Sequence, residues 1–508
     1  MRSRLTSFSL PENLGGGRVA LLLLLFALAI YMLYTSGFSS FALVCMAPLF
    51  FLVLVMALEY RMFVFWVLML VNFFVQWKNF PSTGLPLSIY NEMIELLLIG
   101  MAIVKVEEDR FGRLFNLMFF ALGIWFTFCV IEILNDTCGL GMNLTVWYTG
   151  ARLMAFQMMY AFVVFTLYVT TPRILMRYLL LWAGLSLFAA LWIWKQKYIG
   201  MTDAERAFLY GAGRTTHIIN AGYTIRYFSV FSDAANYGVY IASAAVAFIV
   251  FGITSRQQWL KLLFLVVGAT CLLAIGPSGT RTAIACFLAG AASYVFLSKS
   301  VRLAVPMGIF LALLFFFLAF TKIGNSNGEI RRMRSAFSRS DASVEVRYTN
   351  QAVMRKYLVE APWGIGLGNS YEEVPPNNKF ARLCRIPPDS DYVYIWIHTG
   401  YIGITVFLCV TGLLLLGACH IIYFRLTNRT LVGIAAGMTS AFIAYQVGSY
   451  ANQVLMQFPN CLIFYGAMSI VYALPGMEAA WNEYEAPLLE KQEEKKRLRR
   501  EKRLASRV

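Results

Sequence analysis

Apolar runs long enough to cross a bilayer recur along the chain, separated by polar breaks. Fourteen can be marked, at about 18–35, 41–58, 61–77, 87–105, 115–135, 152–170, 174–194, 236–254, 259–276, 281–297, 302–321, 392–418, 431–449 and 456–475. The pattern predicts an all-α, polytopic membrane protein with about fourteen transmembrane helices. Two breaks are long. Residues 195–235 join the seventh and eighth runs, and 322–391 join the eleventh and twelfth. The second is large enough to fold into short helices over a membrane face. From 476 to 508 the chain turns polar, which sets a boundary between a membrane domain (1–475) and a charged tail.

Positive charge gives the fourteen runs an orientation. With the N-terminus in the cytoplasm, short inner loops hold Arg61, Lys105, Arg110, Arg113, Arg173, Arg177, Arg256, Lys261, Lys299, Arg302, Arg425 and Arg429. The short outer loops hold only Lys78, Arg152 and Arg281. Both termini are therefore expected inside, with the two long segments outside. The tail ends EKQEEKKRLRREKRLASRV, a mixture of Glu with Lys and Arg. It reads as a solvated helix or disordered stretch resting on anionic lipid.

Composition agrees with the membrane assignment. Of 508 residues, 59% are hydrophobic and only 14% charged, where a soluble domain carries about a quarter charged residues. Basic residues precede the first run, but no small-residue cleavage site stands out, so it reads as a retained helix. The nine cysteines form no C-x-x-C pair and mostly lie in apolar runs, where they pack as small hydrophobes. Cys138 and Cys384 fall in loops, which leaves a disulfide open. Three scattered histidines suggest no metal site. No cofactor and no nucleic-acid partner are expected.

Charges near the runs collect at one surface. Glu92 and Glu95 lie one to two turns below the outer face, and Glu132, Arg152 and Arg281 lie near outer helix ends. A transporter would place polar groups at mid-depth on broken helices. An enzyme acting on a lipid headgroup would place them at the interface, as here. The 322–391 loop adds eleven basic residues, mostly arginine, against eight acidic ones. The planar guanidinium fork suits phosphate oxygens, so an anionic, lipid-linked substrate is the natural partner.

Three stretches carry candidate chemistry. In GPSGTRTAIACFLAG (276–290), a tight turn leads to Thr280 as a helix cap and Arg281 in the first turn, where an anion would be favoured. A snorkelling arginine is the plainer alternative. In RYFSVFSDAANYGVYIA (226–242), Arg226 is a candidate phosphate ligand, while Ser232, Asp233 and Asn236 suit helix capping and structure. In VEVRYTNQAVMRKYLVEAPWGIGLGN (344–369), an amphipathic helix places Arg347 and Arg355 on roughly one face. Gly364, Gly366 and Gly368 follow, more in keeping with a docking turn than a phosphate nest.

In combination, SGTRTA, R-x-F-x-x-F-S-D-A-A-N, the arginine-bearing helix before P-W-G-I-G-L-G-N, and D-S-D-Y-V-Y-I-W-I-H-T-G-Y-I-G resemble the bacterial O-antigen ligase and O-antigen polymerase superfamily over residues 226–405. The resemblance implies a metal-independent glycosyltransferase in the inner membrane, with its site facing the periplasm. Such enzymes take a glycan from undecaprenyl pyrophosphate. Ligases pass it to lipid A–core, and polymerases pass it to another lipid-linked repeat. It also implies that Arg226, Arg281 and Arg347 hold the pyrophosphate, with Arg355 in reserve. Ligases of the family keep a histidine separated by ten intervening residues from the glycine of a T-G-x-x-G-like segment; here that position is Asp389. His398 lies further along the helix and does not replace it. The departure favours a polymerase of O-antigen, capsule or exopolysaccharide repeats over a ligase. Asp389 is then the expected base for the acceptor hydroxyl. Asp391 comes second, with N-capping of the twelfth run as its other role, and His217 is the remaining base candidate.

Overall fold

The computed structural model describes residues 60–80, 87–104, 111–211, 218–219, 224–335 and 342–505, together with Leu24, Ala27 and Tyr31. The chain divides into two compact units, Met1–Trp66 and Val67–Val508. Everything below concerns the second. The first two apolar runs of the sequence lie almost wholly outside the described residues.

Each of the other twelve runs coincides with a helix. In order these are α1 (Arg61–Phe74), α2 (Leu87–Val104), α3 (Leu117–Ile131), α4 (Leu144–Tyr168) and α5 (Pro172–Tyr198), then α7 (Ala234–Thr254), α8 (Gln258–Leu273), α9 (Arg281–Leu297) and α10 (Val301–Phe320). The last three are α14 (Asp391–His420), α15 (Arg429–Ala451) and α16 (Asn460–Ala505). Between them lie α6 (Asp203–Tyr210), α11 (Gly328–Ser335), α12 (Ala342–Leu358), α13 (Ala381–Arg385) and a two-residue hairpin, Ile218–Ile219 with Thr224–Ile225. Among the described residues, eight helical segments are long and apolar enough to cross a membrane, and α1, α9 and most of α10 are shorter apolar helices.

Polar side chains start these helices. Asn116 accepts from Met118 and Phe119 N–H, Asn143 from Thr145 and Val146, Asp233 from Ala235 and Asn236, and Asn428 from Thr430 and Leu431. Each satisfies two of the N–H groups that a helix start leaves open. Small residues then let helices close on one another, as membrane packing favours. At the α7–α8 contact a Cβ on Gly252 would lie 2.6 Å from Leu265, and one on Gly268 2.8 Å from Ile249. α7, α15 and the apolar part of α16 form the centre and are the most enclosed by their neighbours.

The long break folds as expected into short helices, α11 to α13. One expectation needs correction. The twelfth run is not one continuous helix: Gly400 breaks α14 with φ 64° and ψ −163°. There the 361–366 turn of the loop docks on the helix backbone, with Ile365 N–H donating to Ile397 O (3.0 Å), Gly366 to His398 O (3.0 Å) and Ile402 to Pro362 O (3.2 Å). Of the two readings of the tail, the structure has the helix, since α16 runs through residue 476 as far as Ala505. Its buried Glu485 accepts from Thr430 Oγ1 (2.6 Å) and Asn428 Nδ2 (3.0 Å) and lies 3.6 Å from Arg256.

Candidate active site

The 276–281 turn is the hub. Gly276–Ser278 form one turn of 3-10 helix, and Gly279 leaves it in the left-handed region with φ 56°. Only a residue without a side chain suits that place. A Cβ there would lie 3.3 Å from Arg332 and 3.4 Å from Arg226, so Gly279 sits between two arginine stems. Arg226 donates from Nη2 to Thr280 Oγ1 (3.0 Å) and from Nε to Ser278 O (3.4 Å). Arg332 donates from Nε to Gly279 O.

Thr280 occupies the N-cap of α9, but its hydroxyl does not cap. It donates to Ala234 O (2.8 Å) and receives Arg226. The start of α9 therefore keeps its anion-attracting N–H groups without a side-chain cap, beside Arg281. Burial, then the neighbouring charges of Arg226 and Arg281, pull Arg332 down to about 10. Burial likewise lowers Arg226, with Arg281 adding to the effect against the pull of Asp233. Cations crowded and desolvated in this way favour an anion among them.

Arg332 was absent from the candidate residues, hidden in a run of loop arginines. It arrives here on α11. Asn327 Oδ1 accepts from Glu329 N–H at the start of that helix, and Glu329 meets Lys197 Nζ at 2.5 Å. An Asn two residues before a Glu was the local signal for a helix start.

The other half of the site lies on α12 and the start of α14. Arg347 Nε stands 3.9 Å from Asp389 Oδ2, and its Nη2 donates to Ala451 O at 2.9 Å. Both side chains are partly open and line one cavity with Gln351, Ser390 and Tyr450. Arg281 lies within electrostatic reach of Arg347, which links this cavity to the turn. Arg355 is exposed two turns further along α12 and does not line the cavity. His217 lies outside the described residues.

Asp391 is placed differently from Asp389. It is buried, and one carboxylate oxygen accepts from the N–H groups of Val454 and Leu455, both at 2.7 Å. Ser390, not Asp391, holds the N-cap position of α14. The expected cap is thus corrected: Asp391 ties α14 to the 452–459 turn and offers no open face to a substrate. Asp233 and Asn236 are likewise structural, with Asn236 Nδ2 donating to Phe458 O at 2.9 Å.

The glycine run is a docking turn. Gly364, Gly366 and Gly368 all have φ between 78° and 91°. The N–H groups of Gly364 and Gly366 are spent on Ala361 and His398 carbonyls. His398 is buried, with Nδ1 3.0 Å from Gly366 O. Cys138 and Cys384 share a small apolar core as free thiols, pushed up by burial to about 12 and about 11. Away from the turn, Arg152 Nε meets Glu92 at 3.1 Å, and Gln157 donates to the same carboxylate oxygen at 3.0 Å.

The fold and this end of the bundle define a polytopic helical membrane protein with arginines gathered around one glycine turn. Residues 266–408 match the family model described as O-Antigen ligase. The match, over residues 266–408, supports a relation of this part of the chain to the O-antigen ligase and polymerase superfamily, whose members are membrane glycosyltransferase-like enzymes. The matched stretch takes in the 276–281 turn, Arg332, Arg347 and Asp389, and begins after Arg226. A search of curated proteins finds no match to the chain.

Proposed function

We propose that the chain is a glycosyltransferase that moves a glycan from undecaprenyl pyrophosphate to an acceptor sugar at the periplasmic face of the inner membrane, most simply as a polymerase of O-antigen, capsule or exopolysaccharide repeats. The observation that carries this reading is the gathering of Arg226, Arg281 and Arg332 around one glycine turn, with Arg347 and Asp389 beside it.

In the proposed step the acceptor hydroxyl oxygen attacks the anomeric carbon of the donor. Its bond to the pyrophosphate oxygen breaks, and the hydroxyl proton passes to Asp389. The guanidiniums take up the charge that builds on the leaving pyrophosphate, and the cavity beside α12 orients the acceptor. Arg347, 3.9 Å from Asp389, couples the two halves. The side chains themselves supply the cations this step needs, so the reaction is proposed to run without a metal.

The description of the matched family favours a second reading, transfer to lipid A–core by a ligase. Surface glycan from a deletion strain separates the two. Loss of polymer with a single repeat still on lipid A marks a polymerase; loss of all glycan from lipid A, with long chains left on the carrier, marks a ligase. Complementation with Asp389→Ala or Arg281→Ala is expected to lower glycan transfer about 100-fold or more. Polymer of normal amount and length from both strains would overturn this mechanism.

A further inference from the structure

At the end of the bundle opposite the arginine cluster, α9, α10 and α15 enclose a second cavity together with residues 423–427. Its polar wall is rich in donors. Lys299, Arg302 and Arg429 bring three cations, and Ser298 and Ser300 add hydroxyls. Among the described residues, no carboxylate lines it. The nearby Glu478 accepts from the N–H groups of Thr427 and Asn428.

Basic residues at this end follow from the charge bias of membrane loops alone. Two further features do not. Tyr294 lines the cavity with its side chain only 1% exposed, and its buried hydroxyl has no hydrogen-bond partner among the described residues. A buried donor left open costs stability unless an acceptor arrives. Ser300, at the N-cap of the 20-residue α10, lines the cavity and also makes no side-chain cap, so the first N–H groups of that helix are left without a side-chain acceptor. Lys299, just before it, holds a left-handed φ of 52°, a strained conformation for a side-chain-bearing residue. Its ammonium donates to Leu426 O at 3.2 Å, across the cavity. Exposed Tyr423 and Phe424 flank the opening, as aromatics do at a headgroup boundary.

We propose that this cavity binds a phosphate group, the headgroup phosphate of an anionic phospholipid being its natural source. The phosphate oxygens would accept from the Tyr294 hydroxyl and the open N–H groups of α10, and the three cations would balance its charge. Lipid bound there would clamp α9, α10 and α15 at the end remote from the chemistry.

The test uses the purified full-length protein, stripped of lipid, with phosphatidylglycerol, phosphatidylethanolamine and inorganic phosphate as probes. Binding is read by native mass spectrometry and by thermal shift. Phosphatidylglycerol is expected to bind about tenfold more tightly than phosphatidylethanolamine. Arg302→Gln with Arg429→Gln should weaken it about tenfold. Tyr294→Phe removes one oxygen and keeps the packing, so it reads the site even where the double variant does not fold; it should weaken binding about threefold. Stabilisation by inorganic phosphate that these variants abolish, without preference among lipids, assigns the site to a soluble phosphate instead of a headgroup. Equal binding of both lipids with no phosphate effect overturns the proposal. So does unchanged affinity in Tyr294→Phe.

Discussion

Neighbouring residues of the same type have opposite fates in this protein, and that is where the site is most open to test. Arg331 is exposed on α11, while Arg332 is half-buried against Gly279. Arg332→Ala is expected to cut glycan transfer at least about tenfold, and Arg331→Ala to leave it unchanged, in the same surface-glycan assay. Asp389 and Asp391 form a second such pair. Asp389→Ala should give a protein of normal abundance and poor activity. Asp391→Ala strips two buried N–H groups of their acceptor, at a cost of about 3 kcal/mol, and should appear as a lowered Tm and a lowered amount in the membrane. Arg226 and Arg281 could be singled out in the sequence because they stand in patterned stretches at the start of apolar runs, Arg347 because it lies on an amphipathic helix, and Asp389 because it stands where the resembling family keeps a histidine. Arg332 could not, because in a long polar loop an arginine is unremarkable until the loop's own fold places it. Asp391 misled for a related reason: the sequence shows a helix start, but not the 452–459 turn that claims its carboxylate.

At the scale of elements, apolar length was a dependable guide and helix regularity was not. Twelve runs became helices at nearly the expected positions because backbone in hydrocarbon must satisfy itself. The break at Gly400 was invisible, since it meets a docked turn about 35 residues upstream rather than a local proline. Its φ and ψ belong to glycine alone, and a Cβ there would run into Pro362 O and Gly364 N. Gly400→Ala should therefore destabilise the purified protein by about 3 kcal/mol, read as a fall in Tm. The α11 helix shows the same dependence on context. Its sequence is too short and too polar to form a stable helix alone, and it is held by Glu329 at Lys197 and by Arg332 at the turn.

Across the whole molecule, the site sits at one end and the α16 extension braces the other. Residues beyond 475 looked detachable because their composition turns polar, but Glu485 reaches Arg256, Asn428 and Thr430. A chain ending after Lys491 should reach the membrane in normal amount, and one ending after Glu483 should be depleted, as measured by immunoblot of membranes. The stitching of residues 361–366 to α14 has a mechanical consequence. Lifting that part of the loop would break three backbone hydrogen bonds together, about 3 kcal/mol at typical net strength. Residues 361–366 therefore form a fixed rim instead of a flap, and under the proposed function the substrate would meet a cavity beside Arg347 and Asp389 whose border is set before it arrives.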